Sequence, residues 1–342
     1  MWDKLTIMLF TLVATGASAR QPDPLFAAST PIHLTIKGPF APLAAGTATR
    51  KPFPGTVTVE GAAPETLAVT LSARGVTRRR KEVCPFPPVR IGFTDPPATS
   101  LFAGQGELKL VTHCRPIANF QRFMLLEYAA YRMYNLLTPA SFNVRLAQID
   151  YVDPTGRPII SRPGFLLEDI SDLAHRNGLR ENKIKARLAV TALDPHGAAR
   201  DAVFEYMISN LDWAMTAGPA GKTCCHNTRL IAEKGKAGAV IPVPYDFDLS
   251  GLVDAPYAMP PAAIPVADVR VRHYRGYCPH NAEAVTEAAA FAAQQPALLA
   301  VLDQVPQLDA TSQKKARTYL EGFFEQIATP AGVAAMLKTC QN

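Results

Sequence analysis

Residues 204–248 read FEYMISNLDWAMTAGPAGKTCCHNTRLIAEKGKAGAVIPVPYDFD, and the fold is decided on this stretch. Val203, Met207, Ile208 and Leu211 fall on one face of a helix expected over residues 198–215. That helix delivers Asn210 and Asp212 to its C-terminal end. A loop then presents His226 and Asn227, and short strands at 229–231 and 240–243 form a hairpin. Tyr245-Asp246-Phe247-Asp248 closes the unit. Phosphoryl transfer needs such oxygen groups: one carboxylate to orient the attacking hydroxyl, and an amide and a carboxylate on Mg²⁺.

The order of these groups resembles the catalytic half of the atypical protein-kinase-like families, especially the spore-coat CotH kinases and the HipA toxin kinases. Their pattern is Asn-x-Asp ending a helix, a following His and Asn, and an Asp shortly after a hairpin. The resemblance implies Asp212 as catalytic base, Asn227 and Asp246 as metal ligands, and Asp248 as an assisting ligand. It extends upstream. FAGQGELKL (residues 102–110) puts Lys109 on a strand, and Glu127 follows 18 residues later on a helix. A strand lysine and a helix glutamate hold the nucleotide phosphates in kinases, so these two are the implied cofactor-binding pair. Residues 165–169 (FLLED), with Glu168, would be the hinge between lobes, where backbone groups hold an adenine. ATP and Mg²⁺ are the implied cofactors. Two departures stand out: Asp212 and Asn227 are separated by an insertion with Gly218, Gly221, Cys224 and Cys225, and no Gly-rich loop precedes Lys109.

Working outward, residues 31–110 read as short β-type runs divided by turns. Ile32-His33-Leu34-Thr35-Ile36 and Val89-Arg90-Ile91-Gly92-Phe93 alternate apolar and polar positions, as an antiparallel sheet requires. Residues 119–137 carry Phe123, Leu126, Ala130, Met133 and Leu137 at helical spacing, and Thr138-Pro139 ends the run. Strands are expected at 143–151 and 164–168, with Asp153-Pro154-Thr155-Gly156 as a turn between them. Beyond that the chain reads as mainly helical, at 182–192, 282–305 and 311–327. The expected fold is therefore α+β, a two-lobed protein-kinase-like fold. A leader would occupy 1–19, a β-rich first lobe with one long helix 20–165, and a mainly helical second lobe 166–342.

The leader expectation rests on Lys4, an apolar run from Leu5 to Val13, and Ala17-Ser18-Ala19, the small-x-small pattern of a secretory cleavage site. The run is too short to span a bilayer, and no later stretch is long and apolar enough, so the mature chain is expected to be exported, periplasmic or extracellular. All six cysteines lie after Ala19, which favours disulfides over thiols. The expected pairs are Cys84 with Cys114, and one of Cys224/Cys225 with Cys278. Zinc held by Cys224, Cys225, His226, Cys278 and His280 is a weaker alternative, since no paired CxxC spacing is present.

The 48% hydrophobic content excludes disorder. The net charge of +6 arises from 35 basic against 29 acidic groups, an excess too small to imply nucleic acid. Arg78-Arg79-Arg80-Lys81 reads as a solvated charged turn, and Arg270-Val271-Arg272-His273-Tyr274-Arg275 as a basic face of a strand or groove. No nucleophile elbow, HExxH or Walker loop is present. The leading functional reading is transfer of the ATP γ-phosphate to a protein or small hydroxyl substrate by a monomeric chain. The alternative is an exported pseudokinase serving as a disulfide-stapled binding or envelope-structural module.

Overall fold

A computed structural model describes residues 23–45, 50–219, 224–235 and 238–342. The expected leader at 1–19 lies outside the described residues. In the first half, alternating segments become β1 (Ile32–Lys37), a short α1 (Phe40–Ala45), β2 (Phe53–Val59), β3 (Glu65–Ala73), β4 (Val89–Phe93) and β5 (Glu107–Val111). Helix α2 (Gln121–Leu137) follows, then β6 (Val144–Val152) and β7 (Pro158–Leu167). The alternation does what it should: Leu34 and Ile36 of β1 and Val89 and Ile91 of β4 are fully buried, while their neighbours lean outward.

The expected two-lobed protein-kinase-like fold is overturned at this level. The seven strands close into a barrel in the order β1-β2-β3-β4-β5-β7-β6, and a separate three-stranded sheet lies among the helices that follow. Closure depends on β1, which pairs antiparallel with β2 and parallel with β6, from Ile32 opposite Ala147 to Lys37 opposite Val152. This parallel pair joins segments more than a hundred residues apart, and alternation marks a strand without naming its neighbour. Leu34, Ile36, Leu71, Ile91, Leu108 and Ile149 belong to the packed interior, so the barrel is a core and not a channel. At Gly164 of β7 a Cβ would stand 2.9 Å from the Val111 carbonyl oxygen and 2.8 Å from Ile149, so only glycine lets the strands approach there.

The remainder holds α3 (Ile170–Arg176), β8 (Arg180–Glu181), α4 (Pro195–Ile208), β9 (Thr228–Ala232), β10 (Ile241–Pro244), α5 (Asn281–Ala293), α6 (Gln295–Ala300), α7 (Ala310–Ile327) and α8 (Pro330–Leu337). The hairpin β9–β10 forms as expected, with β8 added on its free edge. Residues 182–192, expected as a helix, are irregular apart from one 3₁₀ turn at Val190–Ala192, because their amides bond elsewhere. Asn182 donates to the Leu230 carbonyl and Leu188 to that of Thr216, both at 2.8 Å. The helix expected over 282–305 breaks at Gln294, one residue before the Gln295-Pro296 start of α6. Helix α2 is buried on nearly every side, and its apolar residues join those of α4, α5 and α7 in one continuous core.

The cysteines form three disulfides: Cys84–Cys114, Cys224–Cys225 and Cys278–Cys340. The first is the expected pair; the expected bond from Cys224 or Cys225 to Cys278 is corrected to a bond between sequence neighbours and one from Cys278 to the C-terminal Cys340. Every cysteine is oxidised, leaving no thiolate for the zinc alternative. Three disulfides mark a chain that matures in an oxidising environment, outside the cytoplasm. Among the described residues no single helix is long and apolar enough to cross a membrane.

Candidate functional site

The Asp212 loop is built at the end of α4. Asp194 caps the start of this helix by accepting from the Gly197 amide, and Pro195 occupies its first position. The helix ends at Ile208 because Ser209 turns left-handed (φ 52°), shorter than the expected 198–215. Asn210 Oδ1 then accepts from the Asp212 amide at 3.1 Å, and Trp213 Nε1 donates to the Asn210 carbonyl at 2.9 Å. Arg275 Nη1 donates to the carbonyls of Leu211 (2.6 Å) and Trp213 (2.7 Å), so one guanidinium brackets Asp212 from behind.

Opposite this loop stands the start of β9. Ala214 and His226 exchange both backbone hydrogen bonds, which carries the two segments side by side. His226 Nε2 lies 2.8 Å from Asp212 Oδ1, while Asn227 Nδ2 donates to Asp212 Oδ2 (3.0 Å) and to its carbonyl (2.7 Å). The hydrogen bond to Asp212 raises the His226 imidazole above its ordinary value, against its partial burial. Asn227 thus holds Asp212 with its amide, and only its Oδ1 is left over for a metal. The Asn227 carbonyl accepts from the Tyr245 amide at 3.0 Å, which sets Asp246 next to this cluster. Asp246 is itself left-handed (φ 70°), and its amide donates to the Tyr131 hydroxyl of α2 at 2.8 Å.

Asp246 belongs to an acidic triplet. Ligand oxygens of Glu127 on α2, Asp246 and Asp248 lie within 4.8 Å of one another. A guanidinium stands among them: Arg78 Nη1 is 3.2 Å from Glu127, Nη2 2.9 Å from Asp246 and Nε 3.2 Å from Asp248. Arg78 lies in the β3–β4 connection and is only 8% exposed, which corrects the expectation of a solvated turn. Its neighbour Arg80 does behave as expected, pairing with Glu82 in the open. Burial opposes the Arg78 charge, yet Asp248, Glu127 and Asp246 outweigh it and hold the guanidinium firmly protonated. Three carboxylates share that single charge. Burial therefore raises Glu127, and raises Asp248 to about 8, in each case against the pull of Arg78. One Glu127 oxygen, Oε1, is buried with no hydrogen-bond partner.

Lys109 on β5 has its Nζ 4.9 Å from the Tyr245 ring centre and 5.9 Å from that of Phe142. Burial lowers its pKa to about 7, helped by Arg74 and Arg229 and opposed by Asp169 and Asp246. The implied pair of Lys109 with Glu127 is not made; Arg78 is the cation on Glu127. Glu168, implied as part of a nucleotide hinge, spends its carboxylate on structure. It accepts from Arg176 Nε (2.8 Å) and Nη2 (3.0 Å) and from the Asn143 amide (2.8 Å), pinning α3 to the barrel end.

Asp212 and Asn227 thus form one hydrogen-bonded group, and Glu127, Asp246 and Asp248 a second, linked to it by the bond from the Tyr245 amide to the Asn227 carbonyl, with Lys109 beside Tyr245 and the Glu168 carboxylate paired with Arg176. Arg78, Tyr131 and Arg275 are the functional-site residues that sequence reasoning missed. A lone arginine in a basic run and a tyrosine on a helix carry no spacing that separates them from surface and core. Compared with known proteins, the chain matches no family model and no curated sequence.

Proposed function

We propose that this exported chain binds a phosphate-bearing nucleotide together with a divalent cation and transfers the terminal phosphoryl group to a hydroxyl of a protein or small molecule. The observation that carries this reading is the convergence of an oriented carboxylate, Asp212, with an all-oxygen triplet, Glu127, Asp246 and Asp248. Oxygen-only donors suit a hard cation such as Mg²⁺, and the unpartnered Glu127 Oε1 leaves a lone pair for it. Such a cation, when bound, would neutralise phosphate charge.

The chain's own residues would do the rest. Asp212 would accept the proton of the attacking hydroxyl as its oxygen bonds to phosphorus and the bond to the leaving phosphate breaks. Asn227 and Arg275 would keep Asp212 in place, and Lys109, while protonated, would hold phosphate oxygens. The leader at 1–19 and a periplasmic or extracellular site of action belong to the same proposal.

The test is nucleotide binding by oxidised protein. Mg²⁺ with ATP should raise the melting temperature more than either alone, phosphate should appear on protein or added acceptor, and Asp246→Asn should abolish both. Absence of both effects in the native chain sinks the reading. A second reading, a non-catalytic disulfide-stapled binding module, is favoured by Arg78, whose guanidinium already supplies the triplet with a cation.

A further inference from the structure

A second cavity shares no lining residue with the Asp212–Asp248 cluster. It has a volume of about 800 Å³ and opens between residues 270–272 and one face of α7, lined by Arg270, Arg272, Lys314, Lys315, Tyr319 and Gly322 among others, with no carboxylate in its wall. The two arginines are held in fixed poses. Arg272 Nε donates to the Met207 carbonyl (3.2 Å) and its Nη2 to that of Tyr319 (2.5 Å). Arg270 Nη1 reaches the Gly251 carbonyl (3.4 Å) and Asp254 (3.3 Å). Both guanidinium carbons stack on the Tyr319 ring, at 4.1 and 4.5 Å from its centre, and the Tyr319 hydroxyl donates to the Arg270 carbonyl.

This arrangement gathers four cations around one cavity, while Asp254, half exposed, pairs with one of them. Arg272 is half-buried, and both burial and the nearby Arg270 work against its charge. Arg272 Nη1 faces Gly322, where a Cβ would stand 3.9 Å away. Lys314 and Lys315 stand exposed on α7, each carrying its ammonium on a flexible four-carbon stem. Two preorganised forks with two mobile point charges match an oxyanion that carries more than one charged group. The volume falls within the range of small-ligand pockets and exceeds what a single phosphate would fill.

We propose that this cavity is a binding site for a polyphosphorylated anion, with at least two phosphate groups, seated on the Arg270/Arg272 pair and closed over by Lys314 and Lys315. The shared chemistry is clustered phosphate, supplied either by a soluble polyphosphate or by a diphosphate lipid headgroup. No residue of the Asp212–Asp246 cluster lines this cavity, and the proposal does not depend on that cluster's activity.

Isothermal titration of the full oxidised chain with sodium tripolyphosphate, and flotation with phosphatidylcholine vesicles with and without cardiolipin, distinguish the two sources. Wild type should bind at least one probe. The exposed double variant Lys314→Glu/Lys315→Glu should weaken that binding at least tenfold, and Lys314→Arg/Lys315→Arg should retain it. Lys51→Glu/Lys81→Glu, an equal change of charge at exposed lysines outside this cavity, should leave it unchanged. Gly322→Leu keeps every charge, favours the helix and sets a side chain against Arg272 Nη1, so it should weaken binding and show that shape matters as well as charge. Bound probe should slow amide exchange at residues 270–275 and 314–322. Failure of wild type to bind either probe, or undiminished binding by the double Glu variant or by Gly322→Leu, overturns the proposal.

Discussion

Arg78 Nη2 stands 2.9 Å from Asp246 Oδ1, across a sequence separation of 168 residues, and the same guanidinium touches Glu127 and Asp248. The β3–β4 connection is thereby fastened to the centre of the acidic cluster. It is also anchored downstream by the Cys84–Cys114 disulfide, which ties it to the segment after β5. The cation of the triplet is thus part of the chain, and any external cation must compete with it or join it.

Replacing Arg78 by Ala leaves three carboxylates together with Arg74 as the nearest cation, itself lowered by burial and formerly by Arg78. Breaking a buried ion pair from one side costs about 3–5 kcal/mol. The variant should melt well below wild type in chelator. Because buried acids have raised pKa values, the folded state holds more protons than the unfolded one, and the deficit should grow as pH rises from 4 to 8. Mg²⁺ or Ca²⁺ should restore stability in Arg78→Ala more than in wild type. Calorimetric melts with and without divalent ions check this; an Arg78→Ala protein as stable as wild type and indifferent to metal would refute the triplet as a cation site.

The His226–Asp212 pair gives a second prediction. The imidazole pKa is raised in the folded state, so its stabilisation is complete below the unfolded value of about 6.5 and fades as pH climbs through the folded value. The stability gap between wild type and His226→Gln should therefore narrow with rising pH. Protonated His226 also neutralises Asp212, so any transfer reaction should be slow at acidic pH and rise as the imidazole loses its proton. NMR titration of His226 reads the pKa directly, and Asp212→Asn should lower it. An unchanged His226 titration in that variant would separate the two residues.

Lys109 has the opposite sign. Its ammonium is depressed to about 7, so between pH 7 and 10 the unfolded chain binds the extra proton and stability rises with pH on this account. Lys109→Met removes the buried charge and should be more stable than wild type at pH 7. The advantage should shrink by about 1.4 kcal/mol per pH unit toward 10. Phosphate affinity through this residue should fall over the same range. Denaturant melts at pH 7, 8 and 9 decide it: a gap that does not change with pH would mean Lys109 titrates normally.

The legible parts of this molecule are those set by local pattern. Val89, Ile91 and Phe93 announce β4 by alternation, and the β9–β10 hairpin and the bulk of α2 and α7 follow from periodicity and breakers. Pairings over long distance are not written in such patterns. Nothing around Ile32 says that β1 will lie against Ala147 and shut the barrel, and the kinase-like resemblance, carried by polar groups such as Asp212 and Asp246, fixes no strand order. Residues 182–192 have helical spacing, yet the amides of Asn182 and Leu188 are taken by the carbonyls of Leu230 and Thr216. The site divides the same way. Asp212, Asn227, Asp246 and Asp248 are visible as polar groups at the ends of apolar elements. The burial of Arg78 depends on the path of the β3–β4 connection, which its own residues do not determine.

The Cys278–Cys340 bond closes a loop with a sequence separation of 62 residues that contains α5, α6, α7 and α8. In the chain-entropy account, a loop of that size stabilises by about 4 kcal/mol, by restricting the unfolded chain. It also holds an edge: Cys278 N donates to the Gln341 carbonyl and Gln341 N to the Gly276 carbonyl, both at 2.8 Å, so the C-terminus pairs with the segment that begins α5. Cys278→Ser/Cys340→Ser should lower the melting temperature by several degrees and loosen residues 338–342 first, seen as faster amide exchange at Gln341 before any change in α5. The barrel should keep its exchange protection, since its β1–β6 closure and packed interior involve neither cysteine. Simultaneous loss of protection in the barrel and in α7 would show that the two cores unfold as one unit, and that this bond stabilises the whole chain and not its C-terminal helices alone.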